Sequence, residues 1–150
     1  DKLSQIGPME FKYIHAIKGD IQLLIDCYTG KIITPEKYTT ISYSIHTYFI
    51  IKNKEGKWGV ANFPNKEERV RRIYDEVIPL TNTIIAAKKG KFLALVAIMD
   101  GKVLTDFVYT KIDKSNSYIN CCKNGFDCDF FDLEGNAINK NEPNSNNPLH

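Results

Sequence analysis

One period organises this chain. Glycines that follow a short polar turn fall at Gly19, Gly56, Gly90 and Gly125, at spacings of 37, 34 and 35 residues. A second set, Gly30, Gly101 and Gly135, follows about ten residues after the first, third and fourth of these, and Asn65-Lys66 stands in its place in the second unit. Tyrosines at Tyr38, Tyr74 and Tyr109 repeat at 36 and 35 residues. Three landmarks on one period describe a supersecondary unit that cannot bury its face alone and must stack on its neighbours. Each unit reads as strand, glycine hairpin, strand, second turn, then an extended stretch carrying an aromatic.

Short segments rich in Ile, Val, Thr, Tyr and Phe, bounded by Gly, Asn, Asp or Lys, predict strands. They cover 11–17, 21–27, 38–45, 48–53, 58–63, 70–78, 83–87, 92–98, 103–112, 118–122 and 127–133. The dipeptides Lys18-Gly19, Glu55-Gly56, Lys89-Gly90 and Asn124-Gly125 place glycine where a hairpin turn wants positive φ. Segment 92–98 is apolar on both faces and is expected to be covered on both, whereas 38–45 alternates and implies one wet face. Lys66–Arg72 comes nearest to a helix and is too short to form one by itself. The expected fold class is all-β, an antiparallel meander of repeated hairpins curling into a repeat-like or barrel-like sheet.

With 150 residues the chain has room for one domain and little more. Residues 11–139 read as that domain, 1–10 as a leader or an added segment with Met9 as a candidate native start, and 140–150 as a flexible tail. Apolar residues make up 43% and charged residues 25%, and the formal charge is +2. That is far from the basic excess of a nucleic-acid binder, so no direct nucleic-acid partner is expected. No apolar run approaches the roughly 18 residues of a membrane-spanning helix, so no membrane is expected either.

The chemistry-bearing residues are sparse. Cys27, Cys121, Cys122 and Cys128 form no C-x-x-C pair, and His15, His46 and His150 are scattered, so no metal site and no cofactor are expected. A two-residue turn at Asn124-Gly125 would set 121 opposite 128. A Cys121–Cys128 disulfide is then geometrically open, but two small apolar residues facing each other is the preferred reading, and it goes with a reduced, cytoplasmic protein. His15 and His46 are the internal candidates for a catalytic base, and both read as surface or packed strand residues. With no nucleophile motif beside them, no enzyme activity is expected.

Two charged groups and the tyrosines remain. Asp127, Asp129, Asp132 and Glu134 read as a solvated acidic face or as a contact face for a basic partner. Lys66, Arg69, Arg71 and Arg72, with lysines at the hairpin tips (Lys54, Lys57, Lys88, Lys89, Lys91), read as edge protection against strand addition. Tyr38, Tyr74 and Tyr109 are expected to pack between units. Tyr43 and Tyr48 are freer, and serve as candidate partner anchors.

At Gly56-Lys57-Trp58-Gly59-Val60 and Ile73-Tyr74-Asp75-Glu76-Val77 the chain resembles the WG (KWG) repeat of many bacterial proteins. Looser matches run through Gly30–Pro35 and Tyr38–Ile41, through Gly90-Lys91-Phe92 with Tyr109–Ile112, and through Asn124-Gly125 with Leu133–Asn136. About four units span 11–139, with Phe92-Leu93 replacing the Trp-Gly pair in the third. The resemblance implies a β-repeat fold used for binding, in surface proteins, secreted effectors or proteins encoded beside polymorphic toxins. The expected function is therefore that of an immunity protein, with a cognate bacterial toxin, for instance a nuclease, as partner. It would occlude the toxin's active cleft through Asp127, Asp129, Asp132, Glu134, Tyr43 and Tyr48. The alternative is an exported or surface-associated repeat module that binds a host protein or glycan.

Overall fold

The computed structural model describes residues 4–5, 13–43, 48–63 and 66–138. The expectations placed on the head at 1–3 and 6–10, Met9 included, on the domain end at 139 and the tail 140–150, on His46, His150 and Asn65, and on the ends of two strands at 11–12 and 44–45 lie outside these residues.

Among the described residues fourteen strands run in chain order: β1 (Ser4–Gln5), β2 (Tyr13–Lys18), β3 (Ile21–Asp26), β4 (Tyr38–Tyr43), β5 (Phe49–Asn53), β6 (Trp58–Asn62), β7 (Lys66–Tyr74), β8 (Glu76–Pro79), β9 (Ile84–Lys89), β10 (Phe92–Ala97), β11 (Lys111–Lys114), β12 (Ile119–Cys122), β13 (Cys128–Phe131) and β14 (Ala137–Ile138). They form four antiparallel meanders in sequence: β1-β2-β3, β4-β5-β6-β7, β8-β9-β10 and β11-β12-β13-β14. In the first and third sheets a fourth strand is reduced to single bridges, Ile25 to Ile32 and Val96 to Val103. The all-β meander of repeated hairpins is the observed architecture.

The sheets stack face to face, and three apolar clusters fill the seams. Tyr38 lies in the cluster that joins Tyr13 and Leu24 of the first sheet to Ile41, Phe49 and Ile51 of the second. Tyr74 lies between Ile50 and Val60 of the second sheet and Ile85 and Val96 of the third. Tyr109 lies between Leu93 and Leu95 of the third and Ile119, Cys121 and Phe131 of the fourth. The periodic tyrosines are thus seam residues, as their spacing predicts. Strand β10 sends Leu95 into one seam and Val96 into the other, which accounts for an apolar run without alternation.

From Tyr13 to Tyr38 the first unit corresponds to the third at an offset of 71, the β2–β3 and β9–β10 registers included. The Leu24 N–H donates to Thr34 Oγ1 and the Leu95 N–H to Thr105 Oγ1, both at 3.1 Å. The Ile33 N–H reaches the Leu24 carbonyl at 2.9 Å and the Leu104 N–H the Leu95 carbonyl at 2.8 Å. Each threonine thereby satisfies a strand N–H that no full fourth strand is there to pair.

Two expectations are corrected, and one strand is longer than expected. Lys66–Tyr74 is strand, beginning before the expected start at Val70, because β7 completes the second meander against β6. The segment expected as one strand over 70–78 breaks at Asp75, where the chain leaves the second sheet for the third. Segment 103–112 is extended but holds only isolated bridges at Val103 and Tyr109 before β11 begins.

The fourth hairpin carries a further correction. Cys122 faces Cys128 and Cys121 faces Asp129, one residue out of step with a two-residue turn. Asn124 Oδ1 accepts the N–H groups of Phe126 and Asp127 at 2.9 and 3.0 Å, and Gly125 does not adopt positive φ. The asparagine side chain thus builds a wider loop. The disulfide is Cys122–Cys128, while Cys121 is a free, buried thiol.

Candidate functional site: the hairpin edge

The residue after each seam tyrosine ties the next hairpin down. Thr39 Oγ1 donates toward the carbonyls of Asn53 and Lys52, at 3.1 and 3.4 Å. Its equivalent Thr110 does the same to Lys123 and Cys122, at 3.1 and 3.3 Å. Asp75, in the corresponding place, donates its N–H to the Lys88 carbonyl at 2.8 Å and accepts the Gly90 N–H at 2.7 Å. It also pairs with Lys57 of the preceding hairpin. The Lys57 ammonium and the Gly90 N–H hold the Asp75 carboxyl below the usual carboxylate range. These links bring the Gly56 and Gly90 hairpins and the Asn124 loop to one edge of the stack.

The Trp-Gly pair has a physical reason here. A Cβ at Gly59 would collide with the Val70 carbonyl oxygen and stand 2.9 Å from the Arg71 carbonyl carbon. Strand β7 comes this close because the β6–β7 register shifts between Trp58 and Val60. In the third unit the Leu93–Tyr109 bridge takes the place of the Trp58–Tyr74 pairing, which sets Ala94 where Gly59 stands. Trp58 is half-buried against the second seam, and the Lys52 ammonium sits 5.0 Å from its ring centre.

The sequence-selected contact residues part company. Asp129 turns toward the third seam and accepts the Tyr109 hydroxyl at 2.7 Å. Burial, then this carboxylate, raises the Tyr109 phenol well above its ordinary value. Burial also pushes the neighbouring Cys121 thiol up to about 12, with Asp129 adding to it. Asp132 holds its own turn, accepting the N–H groups of Asn136 and Glu134 at 2.8 and 3.0 Å. Tyr48 is 2% exposed and donates to the Thr81 carbonyl at 3.1 Å. This core position leaves it no face to offer, which withdraws it as a partner anchor. Tyr43 packs edge-on to Phe49 with centres 4.9 Å apart. Asp127 and Glu134 are exposed, on a hairpin loop and on a second turn respectively.

His15 is committed as well. Gln22 Oε1 lies 2.9 Å from His15 Nε2 and accepts the Ile41 N–H at 2.8 Å. A carbonyl oxygen only accepts, so Nε2 carries a proton toward it. The pair fastens the first sheet to the second. Among the described residues no group of His, Cys, Asp and Glu has the makings of a metal site.

Sequence reasoning missed Phe126, which is 97% exposed at the tip of the loop that the Cys122–Cys128 disulfide closes. Its signal was the aromatic directly after Asn-Gly, a position where a hairpin usually turns polar. In the charged cluster of β7, Arg69 donates to the Met99 carbonyl at 3.3 Å and Arg72 is absorbed by Glu68. Arg72 Nε donates to Glu68 at 3.0 Å, Tyr38 donates to the same carboxylate at 3.1 Å, and Lys37 stands 3.4 Å from it.

No family model matches this chain, and no curated protein matches it. Among solved structures it is similar to a computationally designed protein, Ika4, at 11% identity and a TM-score of 0.45, covering 87% of this chain and 85% of that one. It is also similar to KlHsv2 with loop 6CD replaced by a Gly-Ser linker, at 11% identity and a TM-score of 0.47, covering 84% of this chain and 46% of that one.

Proposed function

We propose that this chain is a WG-like repeat protein without enzyme activity that binds a partner protein and blocks it by occlusion, as an immunity protein blocks its cognate toxin. The observation that carries the reading is Phe126. A phenyl ring 97% exposed contributes nothing to this fold, and its loop is fixed by a disulfide, by the Lys123 N–H to Asp127 carbonyl bond at 2.8 Å, and by the Asn124 side chain. An aromatic anchor on a preorganised loop loses little entropy on docking. Among the described residues His15, Tyr109 and Cys121 are occupied in holding sheets together.

The test begins with capture of the partner from source cells, followed by expression of its gene with and without this chain. Growth arrest by the partner alone, relieved by the wild-type chain, is the expected result. Phe126→Ala should weaken the complex by about 2 kcal/mol, roughly 30-fold. A partner harmless to its host, or one that holds Phe126→Ala as tightly as wild type, contradicts the proposal.

The disulfide favours a second reading, an exported module that binds a host protein or glycan, because such bonds persist in oxidising compartments. Trapping thiols in intact cells with an alkylating reagent separates the two. Alkylated Cys122 and Cys128 speak for the cytoplasmic reading, and a protected pair for the exported one.

A further inference from the structure

We propose that the row of hairpins is a lysine-rich docking edge, and that the partner it takes is an acidic protein surface. This rests on the binding reading above and adds the partner's chemistry. The second and third hairpins place Lys52, Lys54, Lys57, Lys88, Lys89 and Lys91 along one edge, although the whole chain carries a formal charge of only +2. Lys123 continues the row on the fourth hairpin. Of the acids among them, Asp75 pairs off with Lys57 and accepts the Gly90 N–H, leaving Glu55 and Glu76 against the other lysines of the second and third hairpins and Asp127 beside Lys123 on the fourth.

Lys52, Lys89 and Lys91 of the row are supported on rings. The Lys89 ammonium lies 5.2 Å from the centre of Phe107 and 5.6 Å from that of Tyr74. Lys91 lies 5.4 Å from Phe92 and Lys52 5.0 Å from Trp58. Cation–π contact holds each head group near a fixed position, which lowers the entropy lost when a carboxylate meets it. The same contacts decide between two anionic partners. Single-stranded nucleic acid binds by stacking successive bases on a series of open aromatic faces. On the second and third hairpins lysines lie over Trp58, Phe92 and Phe107 while Tyr74 is buried in the seam, so the row itself offers no such series and Phe126 of the fourth loop stands alone. Carboxylates need only the ammonium groups. A row of like charges also steers an acidic partner and speeds its encounter.

The full chain is titrated at low salt against poly-L-glutamate and against a single-stranded DNA oligonucleotide of equal charge. Wild type should bind polyglutamate more tightly than the oligonucleotide, with affinity falling as salt rises. The double variant Lys54→Glu/Lys91→Glu should bind polyglutamate at least about tenfold more weakly, as reversal of two contacting charges implies. The control Lys31→Glu/Lys102→Glu, on the second turns at the opposite edge, should stay within about twofold of wild type, and thermal melts should show both doubles folded. Absence of binding to polyglutamate, tighter binding to the oligonucleotide, or equal losses in the two doubles overturns the proposal. None of these results touches the Phe126 comparison, so the docking edge and the occlusion reading fail separately.

Discussion

Thr34 and Thr105 stand 71 residues apart and perform one task, each accepting a leucine N–H at 3.1 Å. Gly90 and Gly125 stand 35 apart and do not. Gly90 turns its hairpin at φ 62°, while Gly125 sits in a loop shaped by the Asn124 side chain and closed by a disulfide. The seams kept the repeat throughout, whereas on the hairpin edge the fourth hairpin departed from it. A seam residue answers to packing on two sheets at once, so few side chains fit. A hairpin tip answers to solvent and to whatever docks there, so tips are free to differ, and here they differ in lysines, in a disulfide and in one bare phenylalanine.

That contrast can be broken most severely at the seams. Leu95→Ala removes a side chain 0% exposed from the third seam and should cost about 2–5 kcal/mol in urea unfolding. A loss under about 1 kcal/mol would mean that the seams are loosely packed. Gly59→Ala should cost about 1–3 kcal/mol by forcing β7 away from β6, whereas Gly125→Ala, with open space at its Cβ, should lie within about 0.5 kcal/mol of wild type. Equal effects at the two glycines would erase the difference between seam and edge.

Reducing Cys122–Cys128, or replacing both with serine, should lower stability by about 2 kcal/mol, as expected for closing so short a loop. Thr34→Val and Thr105→Val should each cost about 1 kcal/mol, and unequal costs would show that the 71-residue equivalence is one of position without energy. The alkaline limb gives a further check. The Cys121 thiol, raised from 9.0 to about 12 in the folded chain, and the raised Tyr109 phenol are neutral when folded and ionise more readily when unfolded. Their contribution is complete below about pH 9 and is lost as pH climbs through the folded values. Melting temperature should hold steady through neutral pH and fall above about pH 9, and Cys121→Ser should blunt the fall.

The period was legible because it is carried by residues with only one suitable place: a tyrosine that spans two sheets, and a glycine at positive φ. The all-β class followed from β-branched runs between such turns. The register of the fourth hairpin was not legible, since Asn124-Gly125 reads as a two-residue turn until the Asn124 carbonyl is seen accepting two N–H groups. Nor was the division of the acidic residues. Asp129 and Asp132 look like Asp127 and Glu134 in sequence, and only the fold shows that Tyr109 and a turn occupy them. Phe126 was passed over for the same reason in reverse, because an aromatic in a β-rich chain is read as core by default.

Hydrogen–deuterium exchange on this chain, free and with its captured partner, tests the central claim most directly. Added protection confined to the hairpin edge, at 52–57, 88–91 and 122–128, with the seams unchanged, is the predicted result. Protection at the opposite edge, around 26–32 and 97–103, would contradict it.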